Sequence, residues 1–327
     1  MTRLIIQANQ IEASDMNEMK AVRIHTYGNA DVLRYEEVPL PAIGAEDVLI
    51  RVHAAAINPV DWKIREGYLQ EFLPYQLPLI LGWDVSGVVE AVGEKVTRFQ
   101  PGDEVYSRPD IERNGAYAEY IAVRADEVAL KPKTIDHIQA AAIPLAGITA
   151  WHALFQAGEL APGQRVLIHA ASGGVGSLAV QLAHWKGAYV IGTTSARNQA
   201  FVQDLGADEV IDYQATRFED EIEPVDVVFD TIGGEVQQRS WQVVKPGGIL
   251  VSIVDPPSEA EATAHHCRSA YVFIQPNAGW LTEMAGLIEA GQLKPIVETV
   301  LPLDQAAAAH RLSESGRTRG KIVLQVR

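Results

Sequence analysis

The stretch His169-Ala170-Ala171-Ser172-Gly173-Gly174-Val175-Gly176 decides how this chain is read. It follows the apolar run Val166-Leu167-Ile168, which has the length and composition of a buried parallel strand. Beyond it, Ser177–Lys186 carries Leu178, Val180, Leu182 and Ala183, a pattern suited to a helix packed on a sheet. Tyr189-Val190-Ile191 supplies a second strand. Strand, glycine turn, helix and strand within about thirty residues is the setting of a dinucleotide-binding fingerprint. Ala171 stands at the first glycine position, where the turn is tight. Gly173 lets the backbone approach a pyrophosphate, and Gly176 lets the helix lie close to its strand. Ser172, Gly174 and Val175 complete a turn whose free N–H groups and positive helix end would face the anion.

The residues after the second strand select the dinucleotide. An NAD site places Asp or Glu about twenty residues past the glycines, on the ribose 2′-hydroxyl. Here the strand ends in Gly192-Thr193-Thr194-Ser195-Ala196-Arg197, with no acid. Thr194, Ser195 and Arg197 suit a 2′-phosphate, which a carboxylate would repel. The expected cofactor is NADPH; the plain alternative is a polar loop with a solvated arginine.

With 327 residues, 47% of them hydrophobic, the chain can bury two sizeable cores. A net charge of −15 argues against a nucleic-acid partner or an anionic membrane surface. Cys267 is the only cysteine, so no intrachain disulfide and no multi-cysteine zinc site can form. Residues 1–18 lack a basic region followed by a long apolar core, so they do not read as a secretory signal. Ala140–Ala157 is interrupted by Pro144, Gly147 and His152 and does not read as a membrane span. The expected location is the cytoplasm.

Outward from the glycine turn, the rhythm changes twice. Upstream, Val22-Arg23-Ile24, Val48–Val52, Val85–Val92, Gly102–Tyr106 and Ala116–Val123 are short strands separated by turns, suggesting a partly closed barrel or sandwich. Downstream, Asn198–Leu205, Glu209–Ile211, Val225–Phe229, Val236–Val244 and Gly248–Ile253 alternate helix and strand, as in a doubly wound parallel sheet. Ala140–Ala142, Ala150–Gln156 and Leu281–Ala290 read as helices, and Tyr271–Ile274 as a further strand. Pro295–Val300 and Lys321–Val326 return to β character around a helix at Leu303–Ser313. The division expected is an extension at 1–18, a β-rich catalytic domain at 19–144 plus 295–327, and an inserted nucleotide-binding domain at 145–294.

The order of motifs resembles the medium-chain dehydrogenase/reductase superfamily. The resemblance runs through Asn58-Pro59-Val60-Asp61, Leu81-Gly82-Trp83-Asp84-Val85-Ser86-Gly87-Val88-Val89, Gly102-Asp103-Glu104-Val105, the 171–176 glycines and Gly320-Lys321-Ile322-Val323. It implies an α/β protein with a GroES-like domain and a Rossmann domain. Within the superfamily the chain is similar to the zinc-independent quinone oxidoreductase and enone reductase branch, above all at Asn58-Pro59-Val60-Asp61-Trp62-Lys63. Zinc-bearing members ligate a catalytic ion through cysteine, histidine with a neighbouring glutamate, and a second cysteine. The corresponding positions here are Asn58, Trp83 with Asp84, and approximately Leu145, a set that cannot make a zinc site. His265-His266-Cys267 is the one residual metal-like cluster, too compressed to converge on an ion.

Without zinc, a conjugated acceptor is favoured over a simple alcohol, and the protein must supply orientation and a donor near the carbonyl oxygen. The resemblance nominates Lys63 as that donor and places Asn58 and Thr149 near the nicotinamide. It also implies Trp83 and Phe273 at the substrate pocket, with Tyr213, Gly233 and Lys321 beside the cofactor. Each has a plain alternative: a solvated Lys63, an Asn-Pro turn, a helix-interior Thr149, a core Trp83. The function implied is hydride transfer from NADPH to a small hydrophobic quinone or α,β-unsaturated carbonyl. An enoyl-thioester reductase, or an inactive NADPH-binding sensor or structural protein, is the alternative. A homodimer through the edge at Ala270–Gln275 is expected from the same resemblance.

Overall fold

The structure, a computed structural model, describes residues 18–327. The extension expected at 1–18 lies outside the described residues except for Glu18, which opens the first strand. The first domain contains β1 (Glu18–Ile24), β2 (Leu33–Pro39), β3 (Asp47–Ala56), β4 (Leu79–Ile80), β5 (Val85–Val92), β6 (Glu104–Ser107), β7 (Tyr120–Arg124) and β8 (Val128–Leu130). Between β3 and β4 lies α1 (Pro59–Glu66), and α2 (His137–Ala141) follows β8. Strands β2, β1 and β4 form a small antiparallel sheet. In the larger sheet β3 pairs with both β5 and β7, and its ladder to β5 shifts register between Leu49 and Ile50 and between Val52 and Ala54. Such irregularities add bend and twist, curling the sheet around one core.

The nucleotide domain contains β9 (Arg165–Ile168), β10 (Tyr189–Thr194), β11 (Glu209–Asp212), β12 (Val225–Asp230), β13 (Val244–Ser252) and β14 (Arg268–Tyr271). All are parallel, in the order β11-β10-β9-β12-β13-β14. This is the doubly wound arrangement whose strand order reverses beside β9. Its apolar runs are continuous because both faces are covered. Val166 and Ile168 enter one core and Leu167 the opposite one. Around the sheet lie α3 (Pro144–Trp151), α4 (Gly174–Trp185), α5 (Gln199–Asp204), α6 (Phe218–Glu221), α7 (Gly234–Ser240), α8 (Glu259–Ala264) and α9 (Ala278–Glu289).

The tail then rejoins the first domain. β15 (Val297–Pro302) and β16 (Lys321–Gln325), with α10 (Ala306–Glu314) between them, extend the larger sheet, and β16 pairs antiparallel with β3. Two elements depart from expectation. β14 ends at Tyr271 rather than starting there, because its partner β13 ends at Ser252 and the ladder has no rungs beyond Ser252↔Tyr271. Val272 N makes the last bond to that strand, at 2.9 Å to Ser252 O, and the inside-out alternation of Val272, Phe273 and Ile274 runs on past it. The helix expected at Ala150–Gln156 is two pieces, α3 and a π-helical segment at His152–Ala157.

Candidate active site

The glycine turn leaves β9 through His169 and Ala170, the latter in the left-handed region at φ 46. Gly173 N donates to Ala170 O at 2.8 Å, and α4 begins with no side-chain cap on Gly173. The first N–H groups of α4 are therefore free for a ligand. Gly176 is indispensable to the packing. A Cβ there would lie 2.2 Å from Ala170 O and 2.9 Å from Ala171 Cα, both backbone atoms that cannot yield. Ala171 is fully buried and donates its N–H to Thr193 O at 2.9 Å. Ser172 Oγ accepts from Thr194 Oγ1 at 2.9 Å and from Asn198 Nδ2 at 3.2 Å, tying the turn to the end of β10.

The other nucleotide-domain candidates gather at the same carboxyl edge of the sheet, where ligands of open α/β sheets bind. Ser195 and Arg197 follow β10 directly, and the exposed Arg197 donates through Nη2 to Arg317 O at 2.9 Å. Tyr213 N donates to Thr194 O at 3.2 Å while its ring stands 58% exposed beside them. Beyond β12, Asp230 Oδ1 accepts from Ile232 N and Gly233 N at 2.9 and 2.8 Å. Its Oδ2 accepts from Gln237 Nε2 and Ser252 Oγ at 3.0 and 2.8 Å, so the Gly233 loop is held rigidly. An uncapped helix end, a cradle closed to any Cβ at Gly176 and a hydroxyl-lined second strand fit a dinucleotide.

The first domain meets this edge through four polar groups. Asn58 precedes α1, is buried, and donates through Nδ2 to Asp84 Oδ2 at 2.8 Å. Lys321, opening β16, spends all three N–H bonds of its ammonium on Ile57 O at 2.9 Å, Asp84 Oδ2 at 3.1 Å and Asn58 Oδ1. Asp84 Oδ1 accepts from Leu145 N at 2.6 Å, at the start of α3. Burial pushes the Asp84 carboxyl up, against the pull of the Lys321 charge and the Asn58 amide. The lysine stem runs along the glycine turn, where a Cβ on Gly174 would come within 2.8 Å of Lys321 Cδ. Gly320 N donates to Ser172 O at 2.8 Å.

Beneath Asn58, Asp61 Oδ2 accepts from Asn58 N and Tyr117 Oη, both at 2.7 Å. Burial raises the Asp61 carboxyl to about 7 against those bonds. Tyr117 reaches it across Gly82, a left-handed residue (φ +92) where a Cβ would sit 2.2 Å from the tyrosine ring. Any side chain at position 82 would displace that ring.

Several expectations are placed differently. Lys321 sits against the glycine turn, with its ammonium bonded to Ile57 O, Asp84 and Asn58. Trp83 is fully buried, with Nε1 donating to Arg113 O at 3.2 Å and its ring stacked on Tyr75 at 6.1 Å. It is a core residue rather than an open pocket wall. Thr149 is buried and its hydroxyl donates to Leu145 O at 2.7 Å, the helix-interior bond. Lys63, on α1, is half-buried with Nζ 5.9 Å from the Trp62 ring centroid. Phe273 is 47% exposed just beyond β14. A cavity of about 720 Å³ opens under the loop carrying Phe72, Tyr75 and Leu77, with Glu112 and Asn114 opposite.

The positions that would carry zinc converge here, yet they offer an amide, a carboxylate and an alkyl chain around an ammonium already in place. This donor set does not fit the metal. Among the described residues no group of three or more His, Cys, Asp or Glu is arranged to hold an ion. Asn198 and Arg317 carry no sequence signal of a place at this site, and Asp84 is marked only as the neighbour of Trp83 at a zinc position. Asn198, at the head of the helix expected over Asn198–Leu205, and the loop residue Arg317 reach the turn only on folding, and the Lys321 partner of Asp84 is 237 residues away.

Family comparison matches residues 44–133 to the alcohol dehydrogenase GroES-like domain and residues 205–324 to a domain described as zinc-binding dehydrogenase. The NADPH-dependent alkenal/one oxidoreductase, chloroplastic, of Arabidopsis thaliana is 38% identical, over 96% of this chain and 81% of its own. The chain belongs to the medium-chain dehydrogenase/reductase superfamily. Its similarities lie in the zinc-independent quinone oxidoreductase branch. The Danio rerio NAD(P)H oxidoreductase RTN4IP1, mitochondrial, is 33% identical over 94% of this chain and 91% of its own. The quinone oxidoreductase from Coxiella burnetii superposes with a TM-score of 0.90 at 36% identity, covering 95% of this chain and all of that one. This superfamily member joins a GroES-like domain to a Rossmann domain. Among its described residues no helix is long and apolar enough to cross a membrane.

Proposed function

We propose that this protein is an NADPH-dependent reductase of quinones or α,β-unsaturated carbonyls that works without metal. The observation that carries the reading is the junction at Lys321, where the free helix end of a dinucleotide seat abuts the Asn58 network and the zinc positions are filled by an ammonium. The relatives named above add weight, since one is named for alkenals and enones and another for quinones. A reduced nicotinamide bound in the seat supplies a hydride. Gly173–Gly176 bind the pyrophosphate with backbone N–H groups, and Thr194, Ser195, Arg197 and Tyr213 receive the 2′-phosphate. Asn58 keeps one Nδ2–H beyond its bond to Asp84, and that donor orients the carboxamide or the acceptor. Lys63 and Thr149 remain candidates for contact with the acceptor, with Phe273 closing the pocket.

A conjugated acceptor takes hydride at its β-carbon while charge moves to the carbonyl oxygen, so chain donors near that oxygen replace a Lewis acid. Loss of NADPH absorbance with a panel of enones, quinones, aldehydes and enoyl thioesters, with and without chelator, tests the reading. Chelator-resistant turnover of enones or quinones with preference for NADPH is expected. Turnover limited to simple alcohols and abolished by chelation refutes it. The exposed edge strand β14, carrying Tyr271 at 45% exposure, offers itself to a second copy of the chain, and sedimentation at the mass of one chain would sink that part.

A further inference from the structure

Among the described residues two arginines are buried completely, and the fold treats them differently. Arg65, on α1, is saturated: Nε donates to Gly28 O at 2.9 Å, and Nη1 to Glu314 Oε1 at 2.6 Å and His310 Nδ1 at 3.2 Å. Its Nη2 meets Glu66. That is how this fold satisfies a guanidinium whose role is structural. Arg108 is equally hidden, 2% exposed, yet its single bond runs from Nη2 to Ile274 O at 3.3 Å. Its Nε and Nη1 have no partner at all.

The nearby carboxylates are engaged elsewhere. Asp110 Oδ2 and Glu127 Oε1 accept from Arg124, and Asp84 is held by Lys321, Asn58 and Leu145. They act on Arg108 only from a distance. An uncompensated buried cation is costly, and a ligand oxygen against Nε and Nη1 would remove that cost.

Its place in the fold says which ligand. Arg108 follows β6 and crosses from the first domain to Ile274 of the nucleotide domain, next to the exposed Phe273. Nε and Nη1 are closed to solvent behind that contact, so an acceptor reaches them by parting Arg108 from Ile274 at the junction of the two domains. The geometry points to Arg108 as the donor that receives the acceptor's carbonyl oxygen, binding through Nε and Nη1 the negative charge that develops there. This rests on the reductase reading above. In the step it serves, a hydride adds to the β-carbon, the C=C electron pair moves toward the carbonyl oxygen, and a proton from water completes the product while NADPH is oxidised. Arg108 moves no proton; it holds the oxygen until the proton arrives.

The test uses the full-length protein and Arg108→Met and Arg108→Lys. Kinetics with 3-buten-2-one are combined with thermal unfolding and NADPH titration. A second readout is independent of turnover: the acidity of p-nitrophenol bound to the cofactor-free protein, followed by absorbance. Removing one oxyanion donor costs about a hundredfold or more in turnover. Arg108→Met should therefore lower kcat/KM about a hundredfold, keep NADPH affinity, and unfold no earlier than the parent, because an apolar side chain relieves the buried charge. Bound p-nitrophenol should be more acidic in the parent than in Arg108→Met, with Arg108→Lys intermediate. Unchanged kcat/KM, an unchanged phenol titration, or a loss matched by earlier unfolding and weaker NADPH binding overturns the assignment. If the unmodified protein reduces no enone or quinone, the functional reading itself fails, a result distinct from an active parent with an indifferent Arg108→Met.

Discussion

Replacing Lys321 with methionine isolates the energetics of the domain junction. The substitution keeps the stem that packs on Gly174 and removes an ammonium that is 6% exposed and bonded to three oxygens. Asp84, fully buried, keeps only the Asn58 amide and Leu145 N–H. Breaking a buried pair in this way costs about 3–5 kcal/mol. Protonation limits the damage. An ordinary aspartate titrates near 3.9, so holding it neutral at pH 7 costs about 4 kcal/mol, the same range. At roughly 2–4 °C per kcal/mol, the melting temperature falls by roughly 10 °C.

The sign with pH follows from proton counting. In the variant the folded state binds a proton at Asp84 that the unfolded state lacks, so stability relative to the parent rises as pH falls from 7 toward 4, by about 1.4 kcal/mol per unit. Adding Asp84→Asn should restore most of the loss at pH 7. With Lys321 gone, the Asn58 amide can turn over and its Oδ1 accept from the new amide, leaving no charge behind. Urea unfolding followed by tryptophan fluorescence at pH 7 and pH 5 measures both variants against the parent. A loss below about 1 kcal/mol, a deficit that does not shrink at pH 5, or no recovery in the double variant would refute the account.

Two further outcomes follow from the packing around the glycine turn and the buried histidines. Gly176→Ala must push α4 off β9, because the intruding Cβ meets backbone at 2.2 Å. An overpacking cost of about 1–3 kcal/mol is expected, with NADPH affinity falling at least tenfold in a fluorescence titration, and unchanged affinity would contradict it. His169 and His310 are buried and held near about 4 and about 3 by desolvation. Ser240 gives its hydroxyl proton to Val236 O at 2.7 Å, so neutral His169 donates to Ser240 Oγ and accepts from Thr193 Oγ1. The unfolded state binds protons these rings refuse, so stability is full above pH 6.5 and lost as pH falls toward 4, by roughly 2 kcal/mol per ring at pH 5. His310→Gln should flatten the pH 5–7 profile of the melting temperature, and an unaltered profile would exclude that ring.

The legible parts of the chain were those written locally. Val166–Ile168 with the glycines that follow is a local message, because strand burial, turn and helix packing all depend on adjacent residues. Val85–Val92 is likewise strand from end to end. The β character of the tail signalled a return to the first sheet, which the pairing of Val323 with Ala56 carries out. Illegible were relations between distant polar groups. Nothing in Gly320-Lys321-Ile322-Val323 reveals that the lysine neutralises Asp84. Arg108 reads as one more charge in a turn, since burial and want of a partner are properties of the folded whole. Trp83 was ambiguous because a large aromatic suits a pocket wall and a core equally, and only the stacking on Tyr75 decides. The displaced start of β14 has the same origin: alternation persists in Val272–Ile274, but a strand needs a neighbour, and Ser252 is the last one.

The pairing of β16 with β3 also governs the order in which the protein can be made. Lys321 lies 263 residues beyond Asn58, so the central sheet of the first domain waits for the last residues of the chain. At synthesis rates of about 5–20 residues per second that wait lasts roughly 10–50 s, during which the Ala54–Ala56 end of β3, beyond the rungs that β7 fills, has no partner on that edge. The six-stranded nucleotide domain emerges complete in the interval and can fold first. The first domain to be translated is thus the last to close, and while it waits on the ribosome its unpaired edge is open to chaperones or to aggregation.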